Sequence, residues 1–453
     1  MYKGIFVLYK TPMLDRIAAR VEETSADGLA RAIGSLINED VLAEGDRLPT
    51  VRALAARLEV SPNTVSEAWR ILQNHGAIRT DRRRGTTVRG RRSTGIGRHW
   101  QVPVEPGTIE LDLSAGTPDQ TLLPPLGPVL QRLHADVAVT SYVDPPLLED
   151  LEIELRRRWP FVPEAVTVVD GALDALDRVV VEYVRLGDVV VVEDPTFPPL
   201  LDMLDAVGAE VIGVPLDAEG PVVSALEDAL RADPVALFTQ PRAHNPTGIH
   251  TSRDRARAIA ELVRDTRCVV VEDDHSGGAA GVAVESVGTI IPAQTVHIHS
   301  FSKSHGPDLR IAALGGAGEL VGNIVRRRQL GPSWTSRLIQ QILLTMLVDP
   351  ATEQLVTDAA RTYQRRRDRL RACLAEHGID VNPGVGLNMW IPVEDEQRAV
   401  VALAAHSIGV SPGAPFRVGA STGRHVRLSV GTLAERDIAR VADTFASIAE
   451  ASR

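Results

Sequence analysis

Apolar side chains recur at helical spacing through the first part of the chain. The spacing over residues 12–40 predicts a helix. Thr50 and Ser61 are each suited to cap a further amphipathic helix that begins immediately after them. Two short β-type segments follow, at Ala77–Thr80 and Thr86–Val88. Helix, short turn, helix and hairpin in this order predict a winged helix-turn-helix.

The rest of the chain alternates continuous apolar runs with amphipathic stretches. Apolar runs of this kind indicate strands of a mainly parallel sheet, buried by helices on both faces. The predicted fold class is therefore α/β, a winged helix-turn-helix followed by a parallel-sheet domain. The predicted strands are Val166–Val169, Val189–Glu193, Val211–Val214, Ala236–Thr239, Cys268–Glu272 and Val296–His299, and the helices lie near 172–185, 197–207, 222–231 and 252–266.

The distribution of charge also separates the first part of the chain from the rest. Residues 1–100 carry 17 basic and 11 acidic side chains, although the whole chain has a net charge of −10. A basic head on an acidic body predicts a polyanion-binding module joined to an enzyme-like domain. We expect a DNA-binding domain over 12–90, a Gly-, Pro- and Arg-containing linker over 91–108, and a ligand-binding and dimerisation domain over 109–453.

Composition restricts the class of protein. A hydrophobic content of 44% supports a large core, and apolar runs stay below membrane-spanning length. The first ten residues lack the long apolar region of a signal peptide. Two cysteines, Cys268 and Cys373, do not form a disulfide framework. These features predict a cytoplasmic protein without membrane contact.

Polar and basic side chains cluster at the start of the predicted recognition helix and on the hairpin. Short polar groups there suit base edges or phosphates, and arginines suit phosphates or a minor groove. An exposed helix pair with incidental arginines is the alternative. The predicted DNA-contacting residues are Arg47, Arg52, Ser61, Asn63, Thr64, Ser66, Arg70, Arg83 and Thr86.

Lys303 follows the strand Val296–His299 in a loop that also holds Ser300, Ser302 and Arg310. A lysine can form a Schiff base with an aldehyde, and the serines and arginine can bind a phosphate. This is the chemical outline of a pyridoxal-phosphate (PLP) site. A lone Ser-x-Ser-Lys is more often an ordinary basic loop. The prediction of a PLP site therefore depends on the residues at the ends of the other predicted strands.

Four of those strand ends carry matching groups. Gly171 opens a helix whose free N–H groups suit a phosphate. Phe197 can stack on a planar ring, and Asn245 can bond a ring substituent. The carboxylate of Asp273 can pair with a protonated pyridine nitrogen. Each has an ordinary structural explanation by itself; together they predict one PLP site, without a metal ion.

Two resemblances agree with this interpretation. The motifs Gly45–Arg52, Val60–Val65 and Gly85–Val88 resemble the DNA-binding domain of the GntR family of bacterial regulators. The residues at the strand ends resemble those of the fold-type I PLP enzymes, the aspartate aminotransferase superfamily, with a smaller C-terminal α+β subdomain. A GntR-like head on such a body resembles the MocR subfamily of regulators.

The second resemblance implies a role for each site residue. Lys303 would form the Schiff base, and Asp273 would pair with the pyridine nitrogen. Asn245 would bind the ring hydroxyl and Phe197 would stack on the ring. His275 stands where the family usually has a tyrosine beside that hydroxyl. The phosphate would be held by Gly171, Ala172, Ser300, Ser302 and Arg310.

The resemblance also extends to a ligand and a partner subunit. Arg427 would bind the α-carboxylate of an amino-acid effector, and Tyr142 would reach the neighbouring subunit's phosphate, which implies a homodimer. The chain departs from the family pattern in the phosphate region. Asp174 stands where a glutamine is usual, and Asp308 where a glycine is usual.

The predicted function is a PLP-dependent transcriptional regulator. It would bind double-stranded operator DNA and sense an amino-acid or amine ligand, or PLP itself, through an external aldimine at Lys303. One alternative is an active aminotransferase that carries a DNA-binding head, although a helix-turn-helix has no role in transamination. The other is a regulator whose body no longer binds PLP, against which the retained Lys303 and Asp273 argue. We expect a cytoplasmic protein, nucleoid-associated when bound to DNA.

Overall fold

A computed structural model describes most of the chain as two compact units. The head comprises described residues between 13 and 88, and the body comprises those between 109 and 450. The described residues are 13–21, 23–38, 41–43, 45–74, 78–81, 85–88, 109–133, 141–419 and 424–450.

The described residues of the head form four helices and a β-hairpin. The prediction of one helix over residues 12–40 was wrong, because the segment forms two helices. The Ser25 hydroxyl accepts from the Gly28 N–H at 3.1 Å and begins the second of them. A serine cap of this kind starts a new helix. The elements are α1 Met13–Arg20, α2 Ala26–Asn38, α3 Val51–Leu58, α4 Pro62–Asn74, β1 Ile78–Asp81 and β2 Gly85–Val88.

The winged helix-turn-helix predicted for the head is confirmed. The Thr50 hydroxyl accepts from the Ala53 N–H at 3.2 Å, and the Ser61 hydroxyl accepts from the Thr64 N–H at 3.1 Å, so both predicted caps are formed. Strands β1 and β2 pair antiparallel. One buried apolar cluster joins all four helices to the hairpin, and it includes Ile17, Leu29, Leu54, Val65, Trp69, Ile78 and Val88.

The body alternates strands and helices as predicted. Its helices are α5 Leu126–Arg132, α6 Glu149–Arg158, α7 Ala172–Tyr183, α8 Pro198–Val207, α9 Val223–Leu230, α10 Arg253–Val263, α11 Gly318–Arg328, α12 Arg337–Leu347, α13 Pro350–Glu376, α14 Glu396–Ala405 and α15 Ile438–Glu450. Its strands are β3 Leu111–Asp112, β4 Ala165–Val169, β5 Val189–Asp194, β6 Glu210–Asp217, β7 Gly220–Pro221, β8 Ala236–Thr239, β9 Val269–Asp274, β10 Thr295–Ser300, β11 Ala312–Gly316, β12 Asn388–Pro392, β13 Ile408–Gly409, β14 Ser411–Pro412 and β15 His425–Ser429.

The main sheet has eight strands in the order β4-β11-β10-β9-β8-β5-β6-β7. The central pairs from β10 to β6 are parallel, whereas β11 runs antiparallel to both of its neighbours. The mainly parallel sheet is therefore confirmed. Strand β11 was not predicted, because its sequence Ala-Ala-Leu-Gly-Gly has little β propensity. Its glycines serve packing: a Cβ on Gly315 would lie 2.8 Å from the Trp159 ring.

Strand registers assign the acidic residues of β9 to opposite faces. Asp273 lies beside Ile298 of β10, whereas Asp274 lies beside His299. Side chains alternate between faces along a strand, so Asp273 points to one side of the sheet and Asp274 to the other. Adjacent acids therefore have separate environments.

The C-terminal part of the body forms the expected α+β subdomain. Strands β12, β15 and β14 make an antiparallel sheet, and β13 pairs with β3. Helices α13, α14 and α15 contribute to a separate buried cluster with that sheet, including Leu370, Leu403, Val426, Leu428 and Phe445.

Candidate functional site

A cavity of about 280 Å³ gathers most of the residues predicted for the cofactor site. Strands β4, β5, β8, β9 and β10 run in one direction, so their carboxyl ends meet at one edge of the sheet. Arg310 follows β10 in the loop that leads to the antiparallel β11, and it reaches the same edge. The predicted residues that line the cavity are Ala172, Phe197, Asn245, Asp273, His275, Ser300, Ser302, Lys303, Arg310 and Arg427.

The amine of Lys303 projects into this cavity and donates a hydrogen bond to the Gly116 carbonyl. Burial, together with the positive charge of Arg427, lowers the pKa of Lys303 to about 8. Lys303 is also the only lysine between residues 11 and 453, which no motif search would reveal but a count of lysines does. Lys303 is therefore the one lysine side chain of the body that could form a Schiff base.

Asp273 presents one unsatisfied oxygen to the cavity. Its Oδ2 accepts from the Gln240 amide at 2.7 Å, whereas its Oδ1 is buried with no partner among the described residues. Burial raises the pKa of Asp273 to about 7, and the Gln240 hydrogen bond opposes that rise. A buried carboxylate with a free oxygen needs a cationic donor, and a protonated ring nitrogen is such a donor.

Other ring-facing groups are available beside Asp273. The Oδ1 atom of Asn245 is likewise buried and lacks a partner in the described part of the chain. His275 bonds Ser276 Oγ through Nε2 at 3.1 Å. Burial, with Lys303 nearby, lowers the pKa of His275 to about 3, so its imidazole is neutral at physiological pH. A neutral imidazole can donate to or accept from a ring hydroxyl.

The start of α7 and Arg310 form a cradle for an anion. Gly171 has φ +111°, and no side chain caps this helix start within the described residues. A Cβ on Gly171 would lie 3.3 Å from Arg310 Nη2, in the space that a phosphate would share. Free N–H groups at a helix start favour an anion there.

Asp174 does not face this cradle. Its Oδ2 accepts from the Asp170 N–H at 3.0 Å and from Arg178 Nε at 2.9 Å. The acid that departs from the family pattern is therefore paired with Arg178 on the same helix. Asp308 is exposed in the turn before Arg310.

Arg427 brings a cation into the cavity from the C-terminal subdomain. Its Nη2 donates to Ser411 Oγ at 2.9 Å and to the Ser114 carbonyl, and its Nη1 donates to Asn388 Oδ1 at 3.3 Å. Burial lowers the pKa of Arg427 to about 10, which leaves it charged at neutral pH. A fixed guanidinium of this kind can bind a carboxylate through two hydrogen bonds.

Sequence reasoning missed the residues that hold these groups in place. Gln240 and Asn388 are ordinary amides in the sequence, and only their contacts with Asp273 and Arg427 distinguish them. Gly116 is needed for space, since a Cβ there would lie 2.9 Å from Arg427 Nη1. The unsatisfied Asp273 oxygen, the anion cradle and the single body lysine together fit PLP.

Tyr142 lies outside the cavity, with 91% of its surface exposed and its ring 5.8 Å from that of Trp334. Its role toward a neighbouring subunit stays a prediction.

The predicted DNA-contacting residues lie at the surface of the head. Arg47, Arg52, Ser61, Asn63, Ser66 and Arg70 are exposed, whereas Thr64 and Thr86 are half-buried. Arg70 is engaged by Glu67 at 2.5 Å, and Arg47 packs beside Gly85 of the hairpin. Arg83 lies outside the described residues.

No helix in the described ranges is both long and apolar enough to cross a membrane.

Two protein families match the chain, one over the head and the other over the body. Residues 25–88 match the family of bacterial regulatory proteins, gntR family. Residues 108–445 match the family Aminotransferase class I and II. The second match covers well over half of the chain.

Two relatives align with this chain over most of its length. The vitamin B6 salvage pathway transcriptional repressor PtsJ of Salmonella typhimurium is 32% identical over 430 residues, which cover 92% of this chain and 97% of PtsJ. The HTH-type transcriptional regulator YisV of Bacillus subtilis is 24% identical over 442 residues, 85% of this chain and 89% of YisV.

Solved structures share the fold of the body. Pyrococcus horikoshii kynurenine aminotransferase aligns with a TM-score of 0.71 at 22% identity, over 77% of this chain and 92% of that chain. Together with the family matches and the site geometry, these similarities identify the chain as a member of the MocR subfamily of GntR-family transcriptional regulators, DNA-binding proteins with an aminotransferase-like body whose cofactor is pyridoxal 5'-phosphate.

Proposed function

We propose that this regulator adjusts its binding to operator DNA according to whether PLP is attached to Lys303. The observation that carries the proposal is the joint position of Lys303, the unpaired Asp273 oxygen and the Gly171–Arg310 cradle around one cavity. The name of the Salmonella relative, a repressor of a vitamin B6 salvage pathway, supports PLP itself as the signal.

The residues of the chain have separable tasks in this proposal. Bound PLP supplies an aldehyde carbon for a covalent link and a ring that withdraws electrons. Lys303, with its lowered pKa, offers a larger fraction of unprotonated amine near neutral pH than an ordinary lysine does. Asp273 fixes the ring nitrogen, and Asn245 with His275 orients the ring hydroxyl. Arg310, Ser300, Ser302 and the Gly171–Ala172 amides hold the phosphate.

A second candidate signal is an amino acid or amine. Arg427 favours it, because a buried guanidinium opposite Lys303 has no task in binding PLP alone. The carboxylate of an amino acid would pair with Arg427, which would place its amino group in the cavity that Lys303 also lines. The ligand that fits one state of the body better would shift the protein toward that state.

DNA recognition belongs to the head. The exposed polar start of α4, with Asn63 and Ser66, would enter the major groove, and Arg52 would contact the backbone. We also propose a homodimer, in which Tyr142 approaches the partner's cavity. Such a protein would act in the cytoplasm and associate with the nucleoid when bound to DNA.

The test measures cofactor attachment and DNA binding in one titration. Purified wild type and Lys303→Ala are titrated with PLP while the absorbance band of the lysine-linked cofactor and the affinity for the chain's own upstream DNA are recorded. We expect the band in wild type alone, with a change in DNA affinity at the same PLP concentration. A band without any change in DNA affinity would contradict PLP as the signal.

An amino-acid panel separates the alternatives. A ligand-dependent change in spectrum and DNA affinity that Arg427→Leu abolishes would support amine sensing. Repeated turnover with a 2-oxo acid would support an active aminotransferase. Absence of the band in wild type would support a body that no longer binds PLP.

A further inference from the structure

We propose that Gln240 is the positioning residue that keeps Asp273 able to pair with the ring nitrogen, by fixing which carboxylate oxygen is an acceptor. This inference rests on the proposed binding of PLP. It adds a residue that would act through the groups that contact the ring and would not touch the ring itself. Gln240 follows β8 directly and is 5% exposed.

Three hydrogen bonds hold Gln240. Its Oε1 accepts from the Asn245 N–H at 2.7 Å, and its Nε2 donates to Asp273 Oδ2 at 2.7 Å. Its own N–H donates to Glu193 Oε2 at 2.8 Å. One side chain therefore links the two groups that face the ring, Asn245 and Asp273, across neighbouring strands.

The orientation of the Gln240 amide follows from chemistry. The backbone N–H of Asn245 can only donate, so the Gln240 atom that faces it must be the oxygen. The atom that faces Asp273 is then the NH₂ group, which can only donate. Asp273 Oδ2 must accept, and any proton on that carboxyl must reside on Oδ1.

Oδ1 is the Asp273 oxygen that lacks a partner within the described residues. The Gln240 contact thus reserves for the ring nitrogen the one oxygen that can share a proton with it. Loss of the donor would let Asp273 hold a proton on either oxygen, and would favour its neutral form in this buried site.

Several charged or titratable groups surround Asp273. Burial dominates the rise in its pKa; Asp274 of β9 and Glu193 of β5 raise it further, whereas His297 of β10 lowers it. Lys303 and His275 line the same cavity. Among the described residues, Gln240 alone donates a hydrogen bond to the Asp273 carboxylate, so no neighbour compensates for its removal.

The test uses full-length protein and two substitutions. Gln240→Leu removes both side-chain contacts. Gln240→Glu keeps an acceptor for Asn245 but puts a second acid against Asp273. The matched control is Gln340→Leu, because Gln340 is also buried and lies away from the cavity. Both of its amide atoms are also hydrogen-bonded, to the Leu148 N–H and to the Pro146 and Thr335 carbonyls.

The first readout is the pH titration of the lysine-linked cofactor band. We expect Gln240→Leu to raise its midpoint by about one pH unit and to weaken PLP binding about tenfold. A neutral Asp273 would leave the ring nitrogen unprotonated and therefore uncharged. Without that positive charge, the nitrogen that links Lys303 to the cofactor would be protonated more easily, and the midpoint would rise. Gln240→Glu should shift the midpoint in the same direction, and Gln340→Leu should lower thermal stability without any shift.

The second readout needs no cofactor. A double-mutant cycle of Gln240→Leu and Asp273→Ala in the apo-protein should show coupling of about tenfold in the unfolding equilibrium at pH 8, and less at pH 5.5. An unshifted midpoint together with no coupling would overturn the role of Gln240. A wild type without the band would instead overturn the proposed function, and the cycle would still decide whether Gln240 supports the Asp273 carboxylate.

Discussion

Arg242 holds Asp274 through two hydrogen bonds on the face of the sheet opposite Asp273, with Nε 2.8 Å from Oδ1 and Nη2 2.6 Å from Oδ2. His299 Nδ1 lies 2.8 Å from the same Oδ2. The guanidinium keeps the pKa of Asp274 well below its ordinary value despite burial. Two successive carboxylates of β9 are thus held in different ways, one by a charge and one by an amide.

Removal of Arg242 should destabilise the body strongly. Arg242→Met leaves Asp274 as a buried charge without its cation, and we expect a loss of about 3–5 kcal/mol in the free energy of unfolding. Arg253→Met is the control, because Arg253 pairs with Glu285 at the surface and should contribute little. Denaturant unfolding at pH 7 compares them; equal effects would contradict the importance of the buried pair.

The Asp274 pair should also make the body sensitive to acid. Its folded-state pKa is depressed, so its stabilising effect is complete above the unfolded value of about 3.9 and is lost as pH falls through the lower folded value. Stability of the wild type should therefore fall below about pH 4. Unfolding curves of Asp274→Asn should show a weaker dependence in that range, and an unchanged dependence would disprove the assignment.

Lys303 should produce a second pH dependence of stability, in the alkaline range. Its pKa near 8 lies below the unfolded value of about 10.4, so the unfolded chain binds more protons between these values. Stability of the apo-protein should rise with pH across that window, and Lys303→Met should flatten the rise. The rate of PLP attachment should increase up to about pH 8 and then level off, whereas an ordinary lysine would still gain rate above pH 9.

Gly171→Ala should weaken cofactor binding through the phosphate cradle. The new Cβ would lie 3.3 Å from Arg310 Nη2, and φ of +111° is unfavourable for alanine. We expect PLP affinity to fall about tenfold. Gly187→Ala reports backbone strain alone, since Gly187 has φ +84° and no atom within 4 Å of the added Cβ. Similar PLP affinities for the two variants would contradict the cradle.

The start of α4 should determine specific DNA binding. Asn63→Ala is expected to reduce affinity for the operator about tenfold while leaving non-specific binding nearly unchanged. Arg57→Ala is the control within the head, because Arg57 pairs with Asp15 at 2.9 Å and is not a predicted DNA contact. Gel-shift titrations at two salt concentrations distinguish base from phosphate contacts; equal losses for both variants would argue against this face.

Local sequence patterns were enough for most secondary structure. Apolar runs predicted the strands that became β4, β5, β6, β8, β9 and β10, and Thr50 and Ser61 marked the starts of α3 and α4. The same approach missed the helix start that Ser25 caps, because the helical spacing of apolar residues continues across it. It also missed β11, because the glycines of that strand do not resemble a β-type sequence. Periodicity reports local burial, so it does not register an interruption by a single hydrogen bond.

The sequence by itself determined the chemical groups: a lysine, a carboxylate, an amide and two arginines at strand ends or loops, joined to a basic head. Only the tertiary structure decided which groups meet. Arg427 binds the carbonyl of Ser114, and Gln240 joins Asp273 to Asn245. Such contacts depend on strand order and on the closure of the C-terminal subdomain over the sheet edge. Hydrophobic packing between distant segments sets both, and no local pattern encodes that packing.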